Sequence, residues 1–194
     1  MPGKRSSGFS LFEMLLVIAL IGLLATATLP VAELMFVKAK ESELENNLAA
    51  IRQAISLWKR DCRNATVKQY GYNNLYLIPD SCLAPPSLRA LMRPDLEFAG
   101  GKFEVLDKDG VTVRANFYPK PYLNNIPIDP FVGAATWNIY YASGTSTAVF
   151  EGGAVTGGDP VGHRGVFDIS CVDNTGNRRR GFVQAIDGTN YTDW

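Results

Sequence analysis

The chain has 194 residues, with 19 basic against 19 acidic side chains and 46% apolar residues. That length suits one domain plus an appendage, and the balanced charge gives no global pull toward nucleic acid or an acidic substrate. One histidine, three cysteines and no C-x-x-C pair argue against a His/Cys zinc cage or a c-type haem.

The chain opens with Lys4 and Arg5 and no acid, followed by residues 9–32, whose single charge is Glu13. As a helix these 24 residues reach about 36 Å, enough for a hydrocarbon core of about 30 Å. The basic flank predicts a cytoplasmic N-terminus and an exported remainder. A cleaved secretory signal fits Lys4 and Arg5, the run Phe9 to Leu24 and the small-residue site Ala25-Thr26-Ala27. A plain anchor fits the length. Glu13 weighs against both, because a carboxylate at the centre of a spanning helix costs about 2.5–3.5 kcal/mol and needs a functional reason.

The helix is expected to continue. Residues 31–70 contain no Gly or Pro, and Leu44, Leu48, Ile51, Ile55, Trp58 and Cys62 form one apolar stripe. The spacing predicts a single helix from about Phe9 to about Cys62, with Pro30 removing one backbone hydrogen bond where a bend would sit. Its first half, 9–32, is apolar all round. Its second half, 33–62, offers one face to a head formed by residues 63–194.

Beyond it, residues 79–130 hold eight of the eleven prolines, and residues 100–194 hold fourteen of the eighteen glycines. Pro86 to Met92 reads as a short helix stopped by Pro94. Phe103 to Val105 and Val111 to Val113, around Lys108-Asp109-Gly110, read as a hairpin. Trp137 to Tyr141 and Thr147 to Phe150 read as another. A glycine-rich loop follows Glu151, and Val166 to Val172 and Phe182 to Ile186 suggest two last strands. The fold class is α+β, with a small antiparallel sheet packed on the C-terminal half of a long helix.

At this point the residues resemble a family. Lys4-Arg5-Ser6-Ser7-Gly8-Phe9-Ser10-Leu11-Phe12-Glu13 and the apolar run after it are similar to the N-terminus of type IV pilins and pseudopilins. The resemblance includes a processing junction between Gly8 and Phe9, an acid at the fifth mature position and a proline, Pro30, late in the run. It makes residues 1–8 a prepilin-type leader, the third reading of this segment. Leu88-Arg89-Ala90-Leu91 with Pro94, and Tyr122-Leu123-Asn124-Asn125-Ile126-Pro127-Ile128-Asp129-Pro130-Phe131, look like the Leu-x-x-Leu helix and Leu-Pro-x-Asp-Pro-Trp-Gly segment of major type II secretion pseudopilins. Here Phe131 replaces Trp, and residues 98–117 look like an insertion.

The resemblance implies a structural subunit rather than an enzyme. It would be cut by a prepilin peptidase, methylated on Phe9 and polymerised into a helical filament through contacts involving Glu13 and Pro30. Implied partners are its own copies, the peptidase, an inner-membrane assembly platform and minor pseudopilins. The implied place is the inner membrane, single-pass, with the head in the periplasm and the filament there or at the cell surface. A surface type IV pilus is the alternative, and a membrane-tethered enzyme or binding domain a distant one.

Other residues carry a bland reading beside a sharp one. Asp168, Asp173, Asp187 and Asp193 are oxygen ligands in a region where the resembled pseudopilins bind calcium, although the close Asp spacing of that site is not reproduced; the expected cofactor is none, with Ca²⁺ the alternative. Arg178-Arg179-Arg180, without interleaved aromatics, is a solvated turn before it is a DNA contact. His163 reads as a surface histidine. Asn64-Ala65-Thr66 and Asn190-Tyr191-Thr192 fit the glycosylation triplet by composition alone. In an exported head, three cysteines allow one bridge. Cys62 on the apolar stripe with Cys82, across a loop of 19 intervening residues, is the favoured pair.

Overall fold

The computed structural model describes residues 9–141, 146–151, 154–156, 165–171, 185–190 and 194. Among the described residues, helix α1 spans Leu11–Tyr70, two short helices α2 (Leu88–Met92) and α3 (Pro94–Glu97) follow, and six strands come after them. The chain divides into two units, Met1–Ala39 and Lys40–Trp194.

α1 runs eight residues past the end expected from the stripe, because nothing stops it before Gly71. That glycine has φ 91°, and its N–H closes the last turn on the Val67 carbonyl at 3.0 Å. An L-residue tolerates this backbone poorly, whereas glycine accepts it freely. The N-terminal end starts at Leu11 rather than Phe9, with the Met14 N–H donating to the Ser10 carbonyl at 3.1 Å. Helix assignment continues through Pro30, whose ring is outside the described side chains.

Within the second unit the stripe is buried as its spacing requires. Leu44, Leu48, Ile51, Ile55, Trp58 and Cys62 join one core with Leu83, Leu88, Leu91, Val105, Phe117, Trp137, Ile139 and Ile169. Trp58 is the centre of an aromatic group: Phe117 meets it edge-on at 5.2 Å and Phe103 at 5.6 Å, with Tyr122 and Phe98 close by. Residues 98–117, an insertion by resemblance, thus supply three of the rings around this tryptophan.

α2 begins at Ser87, whose hydroxyl accepts the Ala90 N–H at 3.1 Å. Pro94 does more than end it. It occupies the first turn of α3, where its missing N–H leaves no bond unmade.

Strands β1 (Phe103–Leu106) and β2 (Val113–Phe117) pair antiparallel, with Val105 opposite Ala115. The second strand starts at Val113, later than the sequence suggested, because Asp109 takes the turn. Its carboxylate accepts the Val111 and Thr112 N–H groups and holds both out of the ladder. The larger sheet has the order β5-β4-β3-β6, formed by β3 (Trp137–Tyr141), β4 (Ser146–Glu151), β5 (Ala154–Thr156) and β6 (Val166–Cys171), all antiparallel. β5 lies where a loop was expected. Ala185 and Ile186 are turn rather than strand, and residues 182–184 are outside the described set.

β6 enters the sheet through Gly165, at φ 119°. A Cβ there would sit 2.8 Å from the Ala84 Cβ and 2.9 Å from its carbonyl oxygen. The next residue, Val166, donates its N–H to Pro85 at 2.7 Å, so the chain passes backbone to backbone at this point.

Candidate functional site: the N-terminal helix

The first unit exposes what a globular protein buries. Phe9, Leu11, Phe12, Met14, Leu15, Leu16, Ile18, Leu20, Ile21, Leu23, Leu24, Val31, Leu34, Met35 and Phe36 are all exposed, Leu11 and Phe9 to 80% and 75%. Exposed apolar residues scattered singly are ordinary; a continuous run over every face of a helix marks a surface meant for lipid or for other helices. α1 is the helix among the described residues that is long and apolar enough to cross a membrane. Thr26, polar within this run, returns its hydroxyl to the Leu23 carbonyl at 2.8 Å, so this donor is satisfied within the helix.

Glu13 stands exposed in the first turn of α1, near the positive end of the helix dipole. Phe9 and Ser10 precede the helix, and Gly8 is outside the described residues, so only the Phe9 side of the expected junction is described. The sequence expectation that Phe9 and Glu13 share one helical turn therefore applies to a helix starting two residues earlier than this one.

The head segment matching the pseudopilin pattern is a clasp. Asp129 is fully buried and closes its own turn: Oδ1 accepts the Phe131 N–H at 2.8 Å, and its backbone exchanges bonds with Gly133 and Ala134. The carbonyls around it are then held by side chains from elsewhere. Lys40 donates to Pro130 at 2.9 Å, Asn47 to Ile128 at 3.0 Å and the Trp137 indole to Pro127 at 3.0 Å. An aspartate followed by proline in this setting fixes a loop onto α1 and β3.

The calcium candidates are engaged otherwise. Asp168 accepts Arg52 Nε at 2.9 Å and the Ile169 N–H at 2.8 Å, while Arg52 also reaches the Ile169 carbonyl. Asp187 accepts both the Thr189 N–H and its hydroxyl. Asp173 and Asp193 lie outside the described residues, as do His163 and Arg178-Arg179-Arg180. Among the described residues, no group of three or more His, Cys, Asp or Glu side chains is placed to hold a metal. Thr66 of the first glycosylation triplet is fully buried and donates to the Cys62 carbonyl at 2.9 Å, which closes that triplet in the folded head. Cys62, Cys82 and Cys171 are all buried in the one core.

Arg52 and Gln69 carry contacts that sequence reasoning did not find. Both belong to the polar side of an amphipathic helix, where a residue bonded to the head looks the same in sequence as one facing water.

Comparison with known proteins agrees with this geometry. Residues 3–29 match the family model of the prokaryotic N-terminal methylation motif. Over 89 residues, 46% of its length, the chain is 28% identical to the type II secretion system core protein G of Aeromonas hydrophila. It spans 62% of that relative's length. No solved structure matches the chain. An exposed apolar helix carrying Glu13 in its first turn, followed in the chain by small antiparallel sheets, thus coincides with a matched motif: the chain carries the N-terminal methylation motif of prokaryotic pilins on a pilin-like α+β fold.

Proposed function

We propose that the chain is a structural subunit of a type II secretion-like pseudopilus, anchored in the inner membrane by residues 9–32 and polymerised through them. The observation that carries this reading is the all-round apolar exposure of α1 from Leu11 to Phe36, within and beyond the matched motif. Such a helix is stable in lipid or in a bundle of its own copies, and one head-to-tail contact repeated without closure gives a filament. The similarity to a type II secretion core protein favours the pseudopilus over a surface pilus. On this reading the protein is no enzyme, needs no cofactor for assembly, and has as partners a prepilin peptidase, an assembly platform, minor pseudopilins and further copies of itself. The head then lies on the periplasmic side.

The test is overexpression followed by shearing and cryo-electron microscopy. Extended filaments whose core is this helix support the reading. Monomeric protein alone, in cells that assemble other filaments, overturns it. Loss of protein secretion on deletion, with no surface fibre in the parent cells, distinguishes pseudopilus from pilus.

A further inference from the structure

The 3-10 turn Tyr72–Leu77 follows the end of α1, and none of its side chains is buried. Tyr72 and Tyr76 stand 76% and 81% exposed, so these two rings add little to the core. Together with Leu75 and Ile78 they line a groove of about 450 Å³ that opens to solvent, a volume in the range of small-ligand sites. Its polar side is built by Asn73 and by Arg63 of α1, whose Nη2 meets Asp80 Oδ1 at 2.7 Å. Both members of that pair are at least half exposed, and an ion pair so placed is worth little to the fold.

We propose that this groove binds a neutral saccharide, as one stretch of a longer carbohydrate chain. An exposed tyrosine offers an apolar ring face with a hydroxyl at its edge, and the C–H face of a sugar ring packs on such a surface while its hydroxyls reach the rim. Each sugar hydroxyl both donates and accepts. Arg63 and Asp80 side by side supply both functions, because their mutual contact uses one of five guanidinium N–H groups and one of the carboxylate's lone-pair sites. Charge selects against ionic ligands: an anion drawn to Arg63 meets Asp80, and a cation drawn to Asp80 meets Arg63. The backbone disfavours an extended peptide. The Asn74 N–H is given to the Gly71 carbonyl at 3.3 Å and the Ile78 N–H to Leu75 at 3.1 Å, so these groups are not offered to an added strand. With both rings this exposed, the groove holds part of a polymer rather than enclosing a single sugar.

Binding here requires only the folded head and no filament, so its test stands apart from that of assembly. Full-length protein in a detergent without a sugar headgroup is titrated by isothermal calorimetry with cellotetraose, maltotetraose and chitotetraose. At least one should bind, and Tyr72→Ala/Tyr76→Ala should weaken that binding by about tenfold or more. Each single variant should weaken it by a smaller factor. Because the turn buries no side chain, the double variant should unfold at the wild-type temperature, which separates loss of binding from loss of fold. Tyr118→Ala removes an exposed ring just past β2 and, as the control, should bind like wild type. No binding of any of these sugars, or equal affinity in wild type and the double variant, overturns the proposal. So does capture of a proline-rich peptide through Tyr72 and Tyr76 by protein that ignores all of the sugars.

Discussion

The side chain of Gln69 holds Asn116 by both of its backbone groups. Oε1 accepts the Asn116 N–H at 2.9 Å, and Nε2 donates to the Asn116 carbonyl at 2.7 Å. A single amide on the last turns of α1 thereby stands where a neighbouring strand would, and covers part of the outer edge of β2. Because the site is exposed, Gln69→Ala lets water replace both bonds and should cost only about 1 kcal/mol. Gln69→Glu should cost more, since a carboxylate still accepts the N–H but faces the carbonyl oxygen. Thermal unfolding of the full chain in detergent measures both; a glutamate variant as stable as wild type would show that the second bond contributes nothing.

This clamp also shows what a sequence discloses and what it hides. The stripe from Leu44 to Cys62 was legible because burial repeats with the period of the helix. The methylation motif, matched over residues 3–29, was legible because it is confined to one short stretch of chain. Gln69, Arg52 and the Asp129 carbonyl contacts were not, because each joins groups far apart in the chain, and polarity alone carries no period that says which partner is met. The end of α1 was misplaced for a simpler reason: the apolar stripe ends at Cys62, but burial continues to Thr66, and the first backbone signal that stops a helix is Gly71.

Gly165 should tolerate no side chain. Its φ of 119° strains any L-residue, and an added methyl would stand 2.8 Å from the Ala84 Cβ and 2.9 Å from a backbone oxygen that cannot swing away. Gly165→Ala should lose about 2–4 kcal/mol through strain and overpacking combined. Gly133→Ala serves as the control, since its φ is also positive at 76° but nothing lies within 4 Å of the added carbon. Equal losses for the two variants would mean that contact with Ala84 is unimportant.

Acid should loosen the β1–β2 turn. The Thr112 hydroxyl, with the Val111 and Thr112 N–H groups, holds the Asp109 carboxyl down to about 2 from an ordinary 3.8. Its neighbour Asp107 is also held below the usual range, by Arg114. A carboxyl that binds its proton less readily when folded stabilises the fold above its unfolded pKa, and that contribution disappears as pH falls through the folded one. Asp109 therefore contributes above about pH 4 and ceases to by about pH 2. Denaturant midpoints followed from pH 5 to pH 2 should fall less steeply for Asp109→Asn than for wild type. Parallel curves would rule Asp109 out.

Processing should begin the mature chain at Phe9, with a methylated amine that keeps its positive charge. The matched motif covers residues 3–29, a span that includes the expected junction between Gly8 and Phe9. Removing residues 1–8 takes away Lys4 and Arg5 and leaves 17 basic against 19 acidic residues, from 19 of each. Intact-mass and N-terminal measurement on protein extracted from membranes decides it. A chain starting at Thr28 would identify a secretory signal and remove the helix on which the filament depends.

On the proposed reading, that cleavage would also create a partner for Glu13. Before it, the nitrogen of Phe9 is a neutral amide; after it, an ammonium would stand four residues from the carboxylate. In lipid, the two can approach within one subunit once the helix reaches back to Phe9. In a filament, the ammonium can meet the Glu13 of a neighbour instead. A unit charge pair at about 4 Å contributes about 4 kcal/mol at an effective dielectric near 20, similar to the ~2.5–3.5 kcal/mol needed to place the acid in an apolar layer. The two terms nearly cancel, so the contact adds little affinity. Its effect is selectivity, because a helix entering one turn out of register leaves both charges unpaired among apolar side chains. Glu13→Gln should therefore insert, be cut before Phe9 and fold its head normally, yet form few filaments when it is the only subunit present, and should be carried into filaments when wild-type chains are mixed with it. Electron microscopy of sheared fractions, counted against total membrane protein, reads the outcome. Filaments of ordinary number and length from the Gln variant alone would show that register is set by the apolar packing of α1 and not by this carboxylate.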